Sequence, residues 1–127
     1  MTKEMKVIDI LNTCEVIKAL MDDKSMDIDV ALKFKLLGIL KSLETHQANF
    51  ELLRNEKIKE YGTKSEDGSI SISEDDVETM KKFQNEIGKI LAVETEVDID
   101  MLSPTEVFNS GIKSAYLTGL YPLISQA

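Results

Sequence analysis

Apolar residues recur at three- and four-residue spacings over long stretches of the chain, the pattern of helices that bury one face. The first stretch covers residues 6 to 22 and ends at the polar segment DDKSMD. Its apolar positions are Val7, Ile10, Leu11, Cys14, Ile17, Leu20 and Met21. This spacing predicts a first amphipathic helix over residues 6–22.

The longest stretch, residues 27 to 61, carries a heptad seam. Asp27 is a suitable N-cap, and Gly62 is the residue type that takes a left-handed conformation after a last helical turn. The seam consists of Leu32, Leu36, Ile39, Leu43, His46, Phe50, Leu53 and Lys57. Further apolar residues at Val30, Phe34, Leu37, Leu40 and Leu52 widen it. We expect one long helix whose broad first half is core and whose second half is a narrower stalk.

A partner helix is predicted from residue 74 to residue 93. Ser73 opens the segment SEDD, which has an acidic residue three positions later, as in a capping box. Its apolar stripe consists of Val77, Met80, Phe83, Ile87, Ile90 and Leu91. A short turn joins this helix to the long one, so the two are expected to form an antiparallel hairpin with Phe50 facing Phe83.

The last third of the chain predicts one strand and two short helices. Residues 96–101 alternate acidic and apolar positions, the period of a strand with one wet face and a free edge. The first short helix begins with Ser103 as its cap, Pro104 at the first helical position and Glu106 closing a capping box. This helix is expected to end at Gly111. Ser114 begins a last helix, which reaches residue 125 and is kinked near Pro122.

These elements together predict a mainly α fold in a single domain, residues 1–127. A long, coiled-coil-like antiparallel helical hairpin (residues 27–61 and 74–93) packs on an N-terminal helix (residues 6–22). A minor β element (residues 96–101) and short C-terminal helices (residues 104–125) complete the fold. Its 127 residues suffice to bury a core without disulfide bonds.

Composition and charge argue against two classes of partner, membranes and nucleic acids. The chain is 43% hydrophobic and 30% charged, and no apolar run approaches the length that a bilayer requires, so we expect a soluble protein. The net charge of −8 is concentrated in residues 63–78 and 94–106. The helices mix both signs and offer no basic face for phosphates, so neither a membrane nor a nucleic acid is an expected direct partner.

The acidic turn after residue 62 allows two interpretations. With Gly68 at the sixth position of an EF-hand loop, the ligand positions fall on Thr63, Ser65, Asp67, Ser69, Ser71 and Glu74. Only two of these are carboxylates, which favours at most weak calcium binding. The alternative, which we favour, is a two-stranded hairpin whose turn is Asp67-Gly68 and in which Ile70 and Ile72 share a face.

Candidate catalytic residues are few. His46 is the only histidine and lies on the helical seam, so we interpret it as a partly buried packing residue. Cys14 lies on the apolar stripe of the first helix and is expected to be a small buried hydrophobe. Asp98 and Asp100 share one strand face, which solvation explains better than carboxylate catalysis. We therefore expect no enzymatic activity, no cofactor, and no catalytic or metal-binding residue.

The order of several segments resembles a family of small, mostly uncharacterised proteins of tailed bacteriophages and prophages. The segments are RNEKIKEYG, the turn SEDGSI, the helix VETMKKFQNEIGKIL, the strand ETEVDI and the closing YLTGLYPLI. The resemblance covers about residues 30 to 125 and leaves the first helix outside. It implies a phage-encoded, non-enzymatic helical protein of the virion or its assembly, located in the host cytoplasm or the virion.

Three functions follow as hypotheses. The first is a phage structural or assembly protein that contacts itself or another phage or host protein, as a homo-oligomer. The second is an acidic inhibitor of a host defence or nucleic-acid-binding protein, and the third is a weak calcium-binding helix-loop-helix module. The residues predicted to contact a partner are the acidic ones of the strand and the turn, Glu96, Asp98, Asp100, Asp67, Asp75 and Asp76.

Overall fold

The computed structural model describes residues 2–108 and 111–124. Its helices are α1 (Val7–Asp22), α2 (Val30–Tyr61), α3 (Val77–Leu91), α4 (Pro104–Phe108) and α5 (Ser114–Leu120), followed by a 3-10 turn over Tyr121–Leu123. Its strands are β1 (Thr2–Lys6), β2 (Thr63–Lys64), β3 (Ile70–Ser71) and β4 (Glu94–Asp98). The fold is mainly α, as the sequence predicts.

Helix α1 lies at the centre of the core and packs against both α2 and α5. Its contact with α5 is especially close, because a Cβ atom on Gly119 would lie 2.2 Å from the Cγ2 atom of Val16. The hydroxyl of Thr13, the buried polar residue of α1, donates to the carbonyl oxygen of Gly119 at 3.5 Å. Cys14 is fully buried on the same helix, as predicted.

The predicted helical hairpin is present, and α2 packs against α3 along its second half. Phe50 and Phe83 line the same surface depression between the two helices. The packing is thin, however, because the buried residues of α2 end at Leu43 and α3 has none. The second half of α2 is therefore a stalk, as predicted. None of the side chains through which it contacts α3 is fully buried.

The prediction that the first half of α2 is a broad core face is wrong in part. The seam residues Leu32, Leu36, Ile39 and Leu43 are buried, and so is Leu40. In contrast, Val30, Phe34 and Leu37 are exposed, at 78%, 81% and 45%. The core covers only one side of α2, so apolar residues on its opposite side remain in solvent.

The start of α2 also differs from the prediction. The helix begins at Val30, with Asp29 rather than Asp27 at the N-cap position. Ile28 is buried, at 6% exposure. We attribute the later start of α2 to this residue, because its burial holds the segment before Val30 against the core. Gly111 lies against this segment, since a Cβ there would come within 3.1 Å of the Asp27 carbonyl oxygen.

Strand β4 pairs with a strand that the sequence did not predict. β1 runs antiparallel to β4, and Lys3 lies opposite Val97 while Glu4 lies opposite Glu96. β1 therefore occupies one edge of the strand that we expected to have a free edge. The predicted strand, residues 96–101, is displaced by two to three residues, since β4 covers Glu94–Asp98. The predicted alternation of burial is confirmed and continues past its end: Val97 and Ile99 are buried, whereas Glu96, Asp98 and Asp100 are exposed.

The tip of the hairpin is the small β-hairpin that the sequence favoured. β2 and β3 pair antiparallel, and Gly68 has a positive φ of 88° at the turn. Gly62 is required for a different reason than predicted. Its φ of −87° is not left-handed, but a Cβ atom there would lie 2.5 Å from the Ile58 carbonyl oxygen and 2.7 Å from the Cγ2 atom of Ile70.

Helix α3 begins at Val77, three residues later than predicted, and Asp76 rather than Ser73 is its cap. The Asp76 carboxylate accepts hydrogen bonds from the backbone N–H of Thr79 at 3.2 Å and from its hydroxyl at 2.7 Å. The Ser73 hydroxyl instead accepts from the backbone N–H of Asp75 at 3.3 Å. This local turn replaces the first predicted helical turn.

The C-terminal elements follow the prediction closely. Ser103 and Glu106 form the predicted capping box of α4, and the salt bridge between Glu106 and Lys35, at 3.2 Å, ties α4 to α2. The last helix begins at Ser114 and tightens into a 3-10 turn at Pro122. The predicted ends of these helices, residues 109–110 and 125, lie outside the described residues.

Candidate interaction surfaces

A groove of about 380 Å³ lies between the first half of α2 and the C-terminal end of β4. Two of the predicted partner-binding residues, Asp98 and Asp100, line it. The complete lining is Phe34, Lys35, Gly38, Ile39, Ser42, Asp98, Ile99 and Asp100. The groove thus combines an acidic wall with an exposed aromatic ring.

The two walls differ in charge for reasons that lie in the local structure. At the end of β4 and in the two residues that follow it, burial of Val97 and Ile99 turns the carboxylates of Asp98 and Asp100 outward, because side chains alternate along an extended chain. On α2, the Lys35 ammonium group is already engaged by Glu106. The backbone N–H of Ser103, together with Lys35, holds the pKa of Glu106 below its ordinary value. The groove therefore presents net negative charge.

The acidic character continues from the groove onto the exposed face of the β1–β4 sheet. The residues on that face are Thr2, Glu4, Lys6, Glu94, Glu96 and Asp98. Glu4 and Glu96 lie directly opposite each other, an arrangement in which like charges destabilise a sheet. Glu4 was missed from the sequence because β1 was not predicted. The signal that could have revealed it is the period-two placement of Met5 and Val7, both buried, between polar residues.

The acidic residues of the hairpin tip are remote from this face, and two of them, Asp67 and Asp76, accept local hydrogen bonds. Asp67 accepts hydrogen bonds from the hydroxyls of Ser65 and Ser69 and, at 3.0 Å, from the Ser69 backbone N–H. These bonds lower the pKa of Asp67 to about 2. The Thr79 hydroxyl and backbone N–H likewise lower the pKa of Asp76, the cap of α3.

The predicted acidic residues therefore do not form one surface. Along α2, the tip lies roughly 30 Å from the groove, at 1.5 Å per residue. Asp75 is exposed at the tip, beside the cap of α3. Of the six predicted contact residues, the structure places Glu96, Asp98 and Asp100 together on and beside the sheet. Asp67 and Asp76 serve the turn and the cap.

An apolar stripe runs along the outward side of α2, opposite the core seam. We call it the outer stripe and define it by Val30, Phe34, Leu37, Ala48 and Leu52. All five are exposed, with Leu52 at 69%. At 3.6 residues per turn these positions share one side of the helix, about half a turn from the seam. Helix α2 therefore has an apolar stripe on both sides, of which the described structure buries one.

A smaller apolar notch of about 210 Å³ lies where α2 and α3 meet the start of α1. Its lining is Val7, His46, Asn49, Phe50, Leu53, Ile90, Val93 and Thr95. His46 is half-buried there, which agrees with its interpretation as a packing residue. Burial raises the pKa of Cys14 above its ordinary value, which disfavours the thiolate and hence nucleophilic chemistry at that residue.

Over residues 2–108 and 111–124, no three histidine, cysteine or acidic side chains are grouped so that they could hold a metal ion. Nor does that part of the chain contain a helix with the length and apolar character needed to cross a membrane. No family model matches the chain, and neither the curated proteins nor the solved structures contain a match. The candidate surfaces therefore rest on geometry alone.

Proposed function

We propose that this protein is a non-enzymatic structural or assembly component that acts through protein–protein contacts. The observation that carries the proposal is the outer stripe, where Val30 and Phe34 are about four-fifths exposed on one helix face. Large exposed apolar side chains grouped on one face, as at Val30, Phe34 and Leu37, are typical of an interaction surface. The resemblance of the sequence to tailed-phage proteins extends the proposal to a phage particle or its assembly.

The thin packing of the hairpin supports the same function. Beyond Leu43 on α2, and along all of α3, none of the described side chains is fully buried. A helix gains most of its stability in a protein from packing an apolar face. A partner that covers the hairpin would supply the burial that the chain itself does not provide.

Mass spectrometry of purified particles from the source that encodes the chain would test the proposal, together with sedimentation analysis of the isolated protein. A structural role predicts the protein at constant stoichiometry in particles or assembly intermediates. An assembly role predicts stable association in at least one of these preparations. A strict monomer that is absent from particles and intermediates would overturn the proposal.

The acidic sheet face favours a second candidate function, an inhibitor that binds a basic surface of a host nucleic-acid-binding protein. Glu4 opposite Glu96 costs local stability, and such a cost is understandable where a basic partner neutralises the pair. The test is inhibition of a host DNA-cleaving enzyme by a Glu96→Gln/Asp98→Asn/Asp100→Asn variant. Inhibition should weaken and lose its salt dependence, whereas a Glu66→Gln/Glu74→Gln control at the tip should act like the wild type. Equal inhibition by both variants would exclude charge mimicry.

A further inference from the structure

The outer edge of β4, the edge that does not pair with β1, presents backbone groups without hydrogen-bond partners. In an antiparallel ladder, the opposed pairs that exchange backbone hydrogen bonds alternate with pairs that do not. The N–H of Val7 donates to the C=O of Val93 at 2.9 Å, and the register continues from this pair along both strands. The backbone groups of Glu94 and Glu96 therefore point away from β1. In the part of the chain that the structure describes, no other segment hydrogen-bonds to them.

The groove between α2 and β4 lies on the same side as this edge. Its lining includes Asp98, at the end of β4, but no described residue of β1. Phe34 and Gly38 line the opposite wall, where space is open, because no atom lies within 4 Å of a Cβ atom added to Gly38. A strand edge beside an open groove is the arrangement by which proteins bind an extended peptide as an additional strand.

We propose that the outer edge of β4 binds an extended segment of another protein, with basic residues at alternate positions. The outward side chains along the edge, Glu94, Glu96 and Asp98, are all acidic and exposed. An added strand sets every second residue opposite one of them, and opposite charges at such positions stabilise the pairing. The residues between them face the groove, where Phe34 offers an apolar contact. The inference rests on the proposed function and adds the chemistry of the partner.

The same charges argue against a second copy of this chain as the occupant. Two β4 strands that pair through their outer edges set outward residues opposite outward residues, since the intervening residues bond to β1. Every such register places acid against acid, which destabilises the pair. The outer edge of β1 is less selective, because its outward residues Glu4 and Lys6 carry opposite charges. The edge of β4 therefore selects a basic strand from a different protein.

Amide hydrogen exchange of the full chain, followed by NMR, tests the inference directly. The probe is a synthetic seven-residue peptide in which lysine and valine alternate. The amides of Glu94 and Glu96 should exchange fast in the free protein, and about tenfold more slowly with the probe at ten times its dissociation constant. A probe that fails to bind at millimolar concentration, or that binds and leaves both amides unprotected, would overturn the inference.

Backbone methylation of the probe separates strand pairing from charge attraction. In a paired strand, one alternate set of N–H groups points at β4 and the other set points away. Methylation of the lysine N–H groups alone, or of the valine N–H groups alone, gives two probes of equal charge. One should bind about tenfold more weakly than the unmodified probe, because its hydrogen bonds are lost, and the other within about twofold of it. Equal dissociation constants would mean attraction without pairing and would refute the inference.

Two pairs of variants locate the site on the protein. Glu96→Gln should raise the dissociation constant of the probe about twofold to fivefold, whereas Glu74→Gln, which removes the same charge at the tip, should leave it unchanged. Gly38→Leu fills the groove and should weaken binding about tenfold. Gly88→Leu is its control, because a Cβ atom there also has open space but lies on α3. Thermal melts check that each variant is folded.

Equal effects within either pair of variants would place the probe elsewhere and overturn the inference. These outcomes are distinct from failure of the proposed function. A chain that is present in particles but whose β4 edge ignores the probe would keep the structural role and lose the basic partner. A chain that binds the probe at β4 but is monomeric and absent from particles and intermediates would keep the edge site and lose the structural role.

Discussion

The hydroxyl of Tyr116 on α5 donates a hydrogen bond of 2.8 Å to the carboxylate of Asp23, which directly follows α1. Asp23 also accepts from the backbone N–H of Ser25 at 2.9 Å, and Lys113 lies 3.5 Å from the carboxylate. This cluster links the α1–α2 connection to the last helix. It was not predicted, because Lys113 and Tyr116 are about 90 residues from Asp23 in the sequence and no local spacing relates them to it.

This cluster predicts a dependence of stability on pH. The Ser25 hydroxyl and backbone N–H, followed by the Tyr116 hydroxyl, hold the pKa of Asp23 well below its ordinary value of 3.8. A lowered folded-state pKa stabilises the fold above about pH 4, and this contribution is lost as the pH falls through the folded-state pKa. Asp23→Asn should therefore lower the melting temperature at pH 7, and the gap to wild type should narrow towards pH 2. Asp22→Asn, at the exposed neighbour, is the control, and an equal gap at both pH values would contradict the prediction.

Two glycines predict opposite effects of the same substitution. Gly62→Ala should destabilise the protein by about 1–3 kcal/mol, since the new methyl group would overlap Ile58 and Ile70. Gly88→Ala should stabilise it by about 0.5–1 kcal/mol, because Gly88 lies within α3 and no atom lies within 4 Å of the added Cβ. Urea denaturation measures both. A stabilised Gly62→Ala variant would refute the close approach at the base of the hairpin tip.

The register of the β1–β4 sheet predicts a second pair of opposite effects. Glu96→Lys converts the Glu4–Glu96 repulsion into an opposite-charge pair and should raise the free energy of unfolding by about 0.2–1 kcal/mol. Glu94→Lys places a lysine opposite Lys6 and should lower it by a similar amount. Thermal melts at low salt reveal both changes. If the two substitutions act in the same direction, the register is different.

The capping box of α4 predicts a loss of stability when its serine hydroxyl is removed. The backbone N–H of Glu106 donates to the Ser103 hydroxyl at 3.1 Å, and the backbone N–H of Ser103 donates to the Glu106 carboxylate at 3.2 Å. Ser103→Ala should lower the free energy of unfolding by about 0.5–2 kcal/mol. Ser114→Ala, in the first turn of α5 rather than at a cap, should change it little. Equal losses from the two substitutions would show that the hydroxyl bond is not the cause.

Local chemistry explains what the sequence could predict. The Ser103 box, the Asp67-Gly68 turn and the seam from Leu32 to Leu43 depend on residues close in sequence, and the structure confirms all three. Strand β1 depends on pairing with β4, about ninety positions away, so its short alternation alone did not distinguish it from the start of a helix.

The exposed residues Val30 and Phe34 show a second limit. Periodicity identifies an apolar position but not whether another element covers it, and α2 has apolar residues on two opposite sides. The sequence therefore predicted the acidic wall of the groove at Asp98 and Asp100, but not its aromatic neighbour Phe34. The outer stripe appears only when the covered side of α2 is known.

The pairing of β1 with β4 also constrains how the molecule assembles during synthesis. Residues 2–6 leave the ribosome well before residues 94–98, with which they pair. The α2–α3 hairpin, built from contacts nearer in sequence, closes a shorter loop and has the smaller entropic cost. We therefore expect the hairpin to form early and β1 to dock late, so that Met5 stays exposed to chaperones until residues 94–98 have been translated.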